Sequence, residues 1–262
     1  MDRKLEPLIL VGPRCTGKTT KGITLASWLG CKFKDGDVET VEAIEECYNI
    51  FSIDDFVKSK GWQEFRKIES DAISWIAKPD NQQMMVYAPG GGAVAHDQGE
   101  EYRQRNIDLL RNFGVVVYIT PSNDLMYNSS ELAYRIVNDP RSKNSRPKLN
   151  DTQEMDISLS TFVEQIIRHQ NKGLSKAIYL AHARSSSALQ KQLSMDEVNA
   201  KIETDDMKRY VSELIDMYNA LQKRDPLYKQ ASHITVFTGG MENHEACKTI
   251  LGKYFDCIIN KL

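Results

Sequence analysis

At 262 residues the chain is long enough to bury a sizeable core as one large domain, or as one domain with an insertion. Its 34 Lys and Arg against 36 Asp and Glu leave a net charge of −2, so there is no basic surplus to mark a nucleic-acid partner. The five cysteines (15, 31, 47, 247 and 257) show no CxxC spacing, and no apolar run approaches the ~20 residues of a membrane span. Reduced thiols, a soluble chain and a cytoplasmic location are therefore expected, with neither membrane nor nucleic acid as partner.

The first apolar run, Leu8-Ile9-Leu10-Val11, reads as a strand. It is followed by Gly12-Pro13-Arg14-Cys15-Thr16-Gly17-Lys18-Thr19-Thr20 and a helical pattern reaching Leu29. Strand, glycine-bounded loop and helix in that order are what a P-loop requires. Gly12 and Gly17 permit backbone angles that let successive N–H groups turn toward a phosphate at a helix N-terminus, Lys18 can reach the β and γ phosphates, and the Thr19 hydroxyl can ligate Mg²⁺. An ordinary glycine-rich turn is the competing reading, and the flanking strand and helix weigh against it.

A second strand near Cys31–Lys34 leads into Asp35-Gly36-Asp37. Two carboxylates at the mouth of a nucleotide site could serve Mg²⁺ through water and accept a substrate proton, or they could cap the next helix. Gly61 to Glu69 reads as a helix with Arg66 and Glu69 on one face, either as a solvated ion pair or as an arginine oriented toward an anionic substrate. A third strand near Met84–Ala88 runs into Pro89-Gly90-Gly91-Gly92-Ala93-Val94. Three consecutive glycines are more than a turn needs, which points to backbone in close contact with a ligand. Further strands are expected at Val115–Thr120 and His233–Thr238, each strand followed by a turn and a helix, giving a parallel sheet wrapped by helices with ligands at the carboxyl ends of the strands.

Residues 150–209 contain no convincing strand. Helical patterns run from Thr161 to Gly173, from Ser175 to Leu193, and from Ser194 through Tyr210, Leu214 and Leu221 to a stop before Pro226. His169 and His182 are isolated and read as surface or packing residues.

In order, these motifs resemble the shikimate kinase family: the P-loop, Asp-x-Asp after the second strand, Phe65-Arg66-Lys67-Ile68-Glu69, Gly90-Gly91-Gly92-Ala93-Val94, Arg146-Pro147-Lys148-Leu149 and Lys223-Arg224-Asp225-Pro226-Leu227-Tyr228. The resemblance covers residues 8–149 and about 214–255. It implies an α/β P-loop kinase fold, with a five-stranded parallel sheet in the order 2-3-1-4-5, helices on both faces and a mobile lid. It also implies transfer of the ATP γ-phosphoryl group to the 3-hydroxyl of shikimate with Mg²⁺. Gly12, Arg14, Cys15, Thr16, Gly17, Lys18, Thr19 and Thr20 would then hold the nucleotide, with Thr19 and Asp35 at the metal. Asp37 would bind the shikimate hydroxyls and take the proton. Arg66 and Arg224 would clamp the carboxylate beside Gly90, Gly91 and Gly92, Arg146 would be the lid arginine over the phosphoryl group in transit, and Arg135 would stack on adenine, with Arg141 competing.

The sequence departs from the family in several places. Cys15 and Pro89 stand where the family has other residues, the stretch between Asp37 and Phe65 is longer, and the adenine loop at Gly239–Asn243 lacks its proline. The expected division is a kinase domain over 1–149 and 210–262, with a lid around 138–150, and a helical insertion over 150–209 that could pair two copies of the chain; a monomer and a homodimer both stay open. Two rivals stay open as well: a kinase of another small hydroxy acid such as gluconate, whose relatives share the Asp-Gly-Asp spelling, and a non-catalytic ATP-binding regulator.

Overall fold

A computed structural model describes residues 5–78, 83–138 and 205–260; the helical patterns expected within 150–204, and the lid, lie outside them. The described chain forms two compact units, Met1–Pro121 with Lys223–Leu262, and Ser122–Gln222.

The first unit is built on β1 (Leu8–Val11), which is buried along its whole length and pairs in parallel with β3 (Met85–Ala88) and β4 (Val115–Thr120). β2 (Lys32–Asp35) adds outside β3 and β5 (Ile234–Phe237) outside β4, giving the order β2-β3-β1-β4-β5 with every pairing parallel. A strand in the middle of a parallel sheet is covered on both faces, which is why β1 and β4 are buried at every position and apolar but for Thr120, while the edge strands β2 and β5 carry exposed positions. Alternation along the strands sends their side chains to separate cores. On one face Ile9, Val11, Tyr87, Val116 and Tyr118 meet Ile73 and Ile76 of α3 (Ile53–Ile76), Ile107 and Leu110 of α4 (Glu100–Phe113), and Tyr228 and Ala231. On the other, Leu8, Leu10, Val86, Val117 and Ile119 meet Leu25 of α1 (Lys18–Leu29) and Cys247, Ile250 and Tyr254 of a helix over Asn243–Asn260. The five-stranded parallel sheet with helices on both faces is the architecture that the motif order implies.

Three local expectations are corrected. β2 passes into α2 (Gly36–Tyr48) with no turn between them, because Asp35 is at once the last strand residue and the N-cap of the helix. The helix read from Gly61 onward is the second half of a longer element: α3 begins at Ile53, with the Ser52 hydroxyl accepting from the Asp55 N–H at 3.1 Å, and is interrupted at Gly61, where φ is 85° and ψ 167°. The helix expected to stop before Pro226 instead runs from Asp205 to Ala231 with the proline inside it. Proline forfeits one helical hydrogen bond there, but burial of Tyr228 and Ala231 against β4 holds the chain helical beyond it.

The second unit contains α5 (Leu125–Asn138), whose Met126 and Ala133 pack with Tyr210 and Leu214 of α6 (Asp205–Ala231). Tyr210 and Ser130 are hydrogen-bonded at 3.0 Å. The remaining helix, Asn243–Asn260, is α7. All five cysteines are free, and among the described residues no helix is long and apolar enough to cross a membrane.

Candidate active site

The loop from Gly12 to Gly17 leaves β1 and opens α1. Its backbone takes positive φ at Gly12 (146°), Cys15 (65°) and Gly17 (80°). A Cβ on Gly12 would stand 2.4 Å from the Ile119 carbonyl oxygen, so glycine is required there by space as well as by angle. Cys15 takes the left-handed conformation despite its Cβ, at the position where the family resemblance expects glycine. Thr16 is fully buried and its hydroxyl donates to the Pro13 carbonyl at 2.9 Å, which ties the loop across its base. The Lys18 ammonium donates to the carbonyls of Gly12 (2.8 Å) and Pro13 (3.1 Å), placing the cation at the loop itself. Lys21, which sequence reasoning passed over, is buried and donates to the Thr16 carbonyl at 3.0 Å; it lies one helical step along the same face as Gly17 and Lys18. Arg14 is half-buried, and Thr19 and Thr20 are exposed at the start of α1.

Asp35 has two tasks. One carboxylate oxygen accepts from the Asp37 N–H at 3.1 Å, capping α2, and the other accepts from the Thr19 hydroxyl at 2.8 Å. The two residues expected at a metal are thus brought together from β2 and α1. A hydroxyl and a carboxylate are hard oxygen donors of the kind Mg²⁺ takes, and that ion is commonly held by one or two such groups with water and phosphate completing its shell. Among the described residues no group of three or more His, Cys, Asp or Glu is gathered that could cage a metal without them.

The glycine turn after β3 is where the walls of the site meet. A Cβ on Gly91 would contact the P-loop, 3.3 Å from the Arg14 backbone nitrogen and 3.7 Å from the Lys18 ammonium. One on Gly90 would stand 2.7 Å from an Asp37 carboxylate oxygen and 2.6 Å from Glu69. One on Gly92 would stand 2.5 Å from the Arg66 guanidinium. Each glycine therefore admits a different functional group, which is why one alone would not serve.

Arg66 and Glu69 are paired at 2.6 Å with side chains only 6% and 4% exposed, so they are not the solvated surface pair that helix spacing alone allows. The guanidinium also lies over the rings of Trp62 (5.1 Å) and Phe65 (5.0 Å), which with Glu69 fix its plane. Burial pushes the Glu69 carboxyl up from its ordinary range, against the pull of Arg66 and Arg224. Arg224, from the far end of α6, is itself buried, and its charge and that of Arg66 act on the same groups, Glu69, His96 and Tyr228. Two buried guanidinium groups from distant parts of the chain thus bear on one acid, Arg66 by direct pairing and Arg224 through its charge, and Asp37 is exposed beside Gly90. His96 is fully buried and, chiefly through burial and then through Arg66, Arg103 and Arg224, its imidazole is held down to about 3, so it is neutral. Of the other residues singled out from the sequence, Arg135 belongs to the second unit, where it is paired with Glu131 at 3.0 Å, and Arg141 and Arg146 lie outside the described residues.

Comparison with known proteins accords with this geometry. A family model described as shikimate kinase matches residues 14–203. The chain is similar to a shikimate kinase of Syntrophus aciditrophicus (strain SB), 36% identical over 154 residues that make up 59% of this chain and 68% of the relative. It is similar also to shikimate kinase 2 of Dickeya chrysanthemi, 34% identical over 157 residues, 59% of this chain and 78% of that one. Among solved structures, a shikimate kinase from Acinetobacter baumannii in complex with shikimate covers 96% of this chain and 94% of its own at a TM-score of 0.52 and 21% identity. One from Bacteroides thetaiotaomicron covers 98% and 99% at a TM-score of 0.52 and 15% identity. Those two likenesses concern the fold. Taken with the phosphate loop and its lysine, the family match means that the chain belongs to the shikimate kinase family and is an ATP-dependent small-molecule kinase.

Proposed function

We propose that the protein transfers the γ-phosphoryl group of ATP to the 3-hydroxyl of shikimate, giving shikimate 3-phosphate and ADP in aromatic amino-acid biosynthesis. The observation that carries the reading is the buried Arg66, held by Glu69 and the rings of Trp62 and Phe65, with buried Arg224 acting on the same acid. Such a pair of fixed guanidinium groups suits a small carboxylate, whose two oxygens match the planar fork.

In this reading Lys18 exchanges its carbonyl partners for β- and γ-phosphate oxygens and follows the charge as the phosphoryl group moves. Thr19 and Asp35 would hold Mg²⁺, which when bound neutralises charge on those phosphates. Asp37, beside Gly90 in the first turn of α2, accepts the proton of the attacking hydroxyl. The Gly90–Gly92 backbone brings acceptor and phosphate loop within reach of one another, which is the positioning that phosphoryl transfer depends on. Arg146 as the lid arginine, Arg135 at adenine, the kinase domain over 1–149 and 210–262, and the insertion at 150–209 as a subunit contact are further parts of the proposal.

A coupled ADP-release assay with Mg²⁺-ATP and shikimate, gluconate or no acceptor tests it. Turnover with shikimate alone is expected. Turnover with gluconate and none with shikimate would assign the Asp35-Gly36-Asp37 site to another hydroxy acid, and none with either would leave an ATP-binding regulator.

A further inference from the structure

Tyr228 lies one helical turn beyond Arg224 on α6 and is fully buried, with its ring stacked on Tyr118 of β4 at 5.0 Å between centroids and 21° between planes. Phenylalanine would fill that core position as well, so the hydroxyl calls for its own explanation. It donates a hydrogen bond to the carbonyl of Gly91, the middle residue of the glycine turn. A second tether runs alongside: the Tyr118 hydroxyl donates to Asp225 at 2.8 Å, and the other oxygen of Asp225 is paired with Lys229 at 2.7 Å. The segment bearing Arg224 is thus tied to β4 through Asp225 and to the glycine turn through Tyr228. That turn is also where Asp37, Arg66 and the phosphate loop come within touching distance of the backbone.

We infer that Tyr228 is a positioning residue for the acceptor site, its hydroxyl locking Gly91 to the segment that carries Arg224 so that turn and arginine meet the substrate as one rigid wall. Burial raises the Tyr228 hydroxyl to about 12, so it stays protonated and able to donate throughout the working range. Gly91 also abuts the phosphate loop, but that loop is held across its base by the Thr16 hydroxyl donating to the Pro13 carbonyl, whereas the turn and the Arg224 segment are joined through Tyr228. Loss of the hydroxyl therefore loosens the acceptor side selectively. The inference rests on the proposed kinase reading but not on which acceptor is used.

The test is Tyr228→Phe, which keeps the ring and its stack, assayed with whichever acceptor the unaltered protein phosphorylates. Removing one buried hydrogen bond should raise KM for that acceptor about two- to tenfold while KM for ATP stays unchanged. The rise in unfolding temperature given by the acceptor should shrink, and that given by ATP should persist. Tyr118→Phe, which breaks the Asp225 tether, should act in the same direction, and the double variant should fall short of the product of the two effects. If Tyr228→Phe does not fold, Tyr118→Phe carries the same comparison. An unchanged acceptor KM, or parallel loss for acceptor and ATP, overturns the inference. Failure of the unaltered protein to phosphorylate shikimate while using another acceptor overturns the substrate reading instead.

Discussion

Asp35 and Asp37 are two residues apart, yet their surroundings separate their chemistry. Asp35 is committed to the α2 cap and to Thr19, whereas Asp37 is exposed beside the glycine turn. Asp37→Asn should therefore retain ATP binding and the fold but lose most of kcat, as removal of a positioned proton acceptor does; measured kcat close to that of the unaltered protein would reduce Asp37 to a surface carboxylate. Gly92 is the second informative position, because the guanidinium that a Cβ would strike is buried and cannot swing away without leaving Glu69. Gly92→Ala should weaken acceptor binding by about 1.5–3 kcal/mol, the range for a hydrogen bond to a charged group, with KM for ATP unchanged. Equal saturation curves for the acceptor in the two proteins would show that Arg66 is not placed by the turn.

Element boundaries depend on single residues of unusual backbone. At Gly61 the combination of φ 85° and ψ 167° belongs to a region open essentially to glycine alone, and beyond its chain neighbours and the local helix backbone nothing lies within 4 Å of where a Cβ would stand. Strain can therefore be separated from collision there. Gly61→Ala should lower stability by about 1–3 kcal/mol through backbone strain with no steric clash, read from the urea midpoint at unchanged slope. A neutral result would mean that α3 straightens through the break. The break matters for function because Phe65 and Arg66 follow within the next two turns, and Phe65 is anchored with Ile44 and Phe56 in a small core joining α2 to both halves of α3.

For the molecule as a whole, acid sensitivity should arise at the acceptor side. His96 ionises near 6.5 in the unfolded chain and at about 3 in the folded one, where burial and then Arg66, Arg103 and Arg224 oppose its charge. Between those two values the unfolded state binds more protons, so its contribution to stability is unchanged above 6.5 and declines as pH falls toward 3. The expected loss is about 1.4 kcal/mol per pH unit within that window. Urea unfolding of the unaltered protein and His96→Gln across the same range should show this component of the slope in the first and not in the second. Identical slopes would remove His96 from the account.

The periodicity of the chain determined much of this protein. A wholly apolar Leu8–Val11 followed by glycine-bounded Gly12–Gly17 and a helical pattern to Leu29 favoured a buried parallel strand feeding a phosphate loop over an ordinary glycine-rich turn, because local backbone chemistry and burial on both faces leave few other solutions. The glycine triplet and the spacing of Arg66 and Glu69 were equally legible as local features. Which reading each deserved was not. Whether an arginine and a glutamate three residues apart face water or a core depends on what packs over them, and here Trp62, Phe65 and the glycine turn do. The passage of α6 through Pro226 likewise reflects burial of Tyr228 and Ala231, which outweighs a local penalty that sequence rules treat as a stop. The joining of Tyr228 to Gly91 spans 137 positions of sequence and leaves no periodic or motif signal, so only the tertiary fold could bring those two groups together.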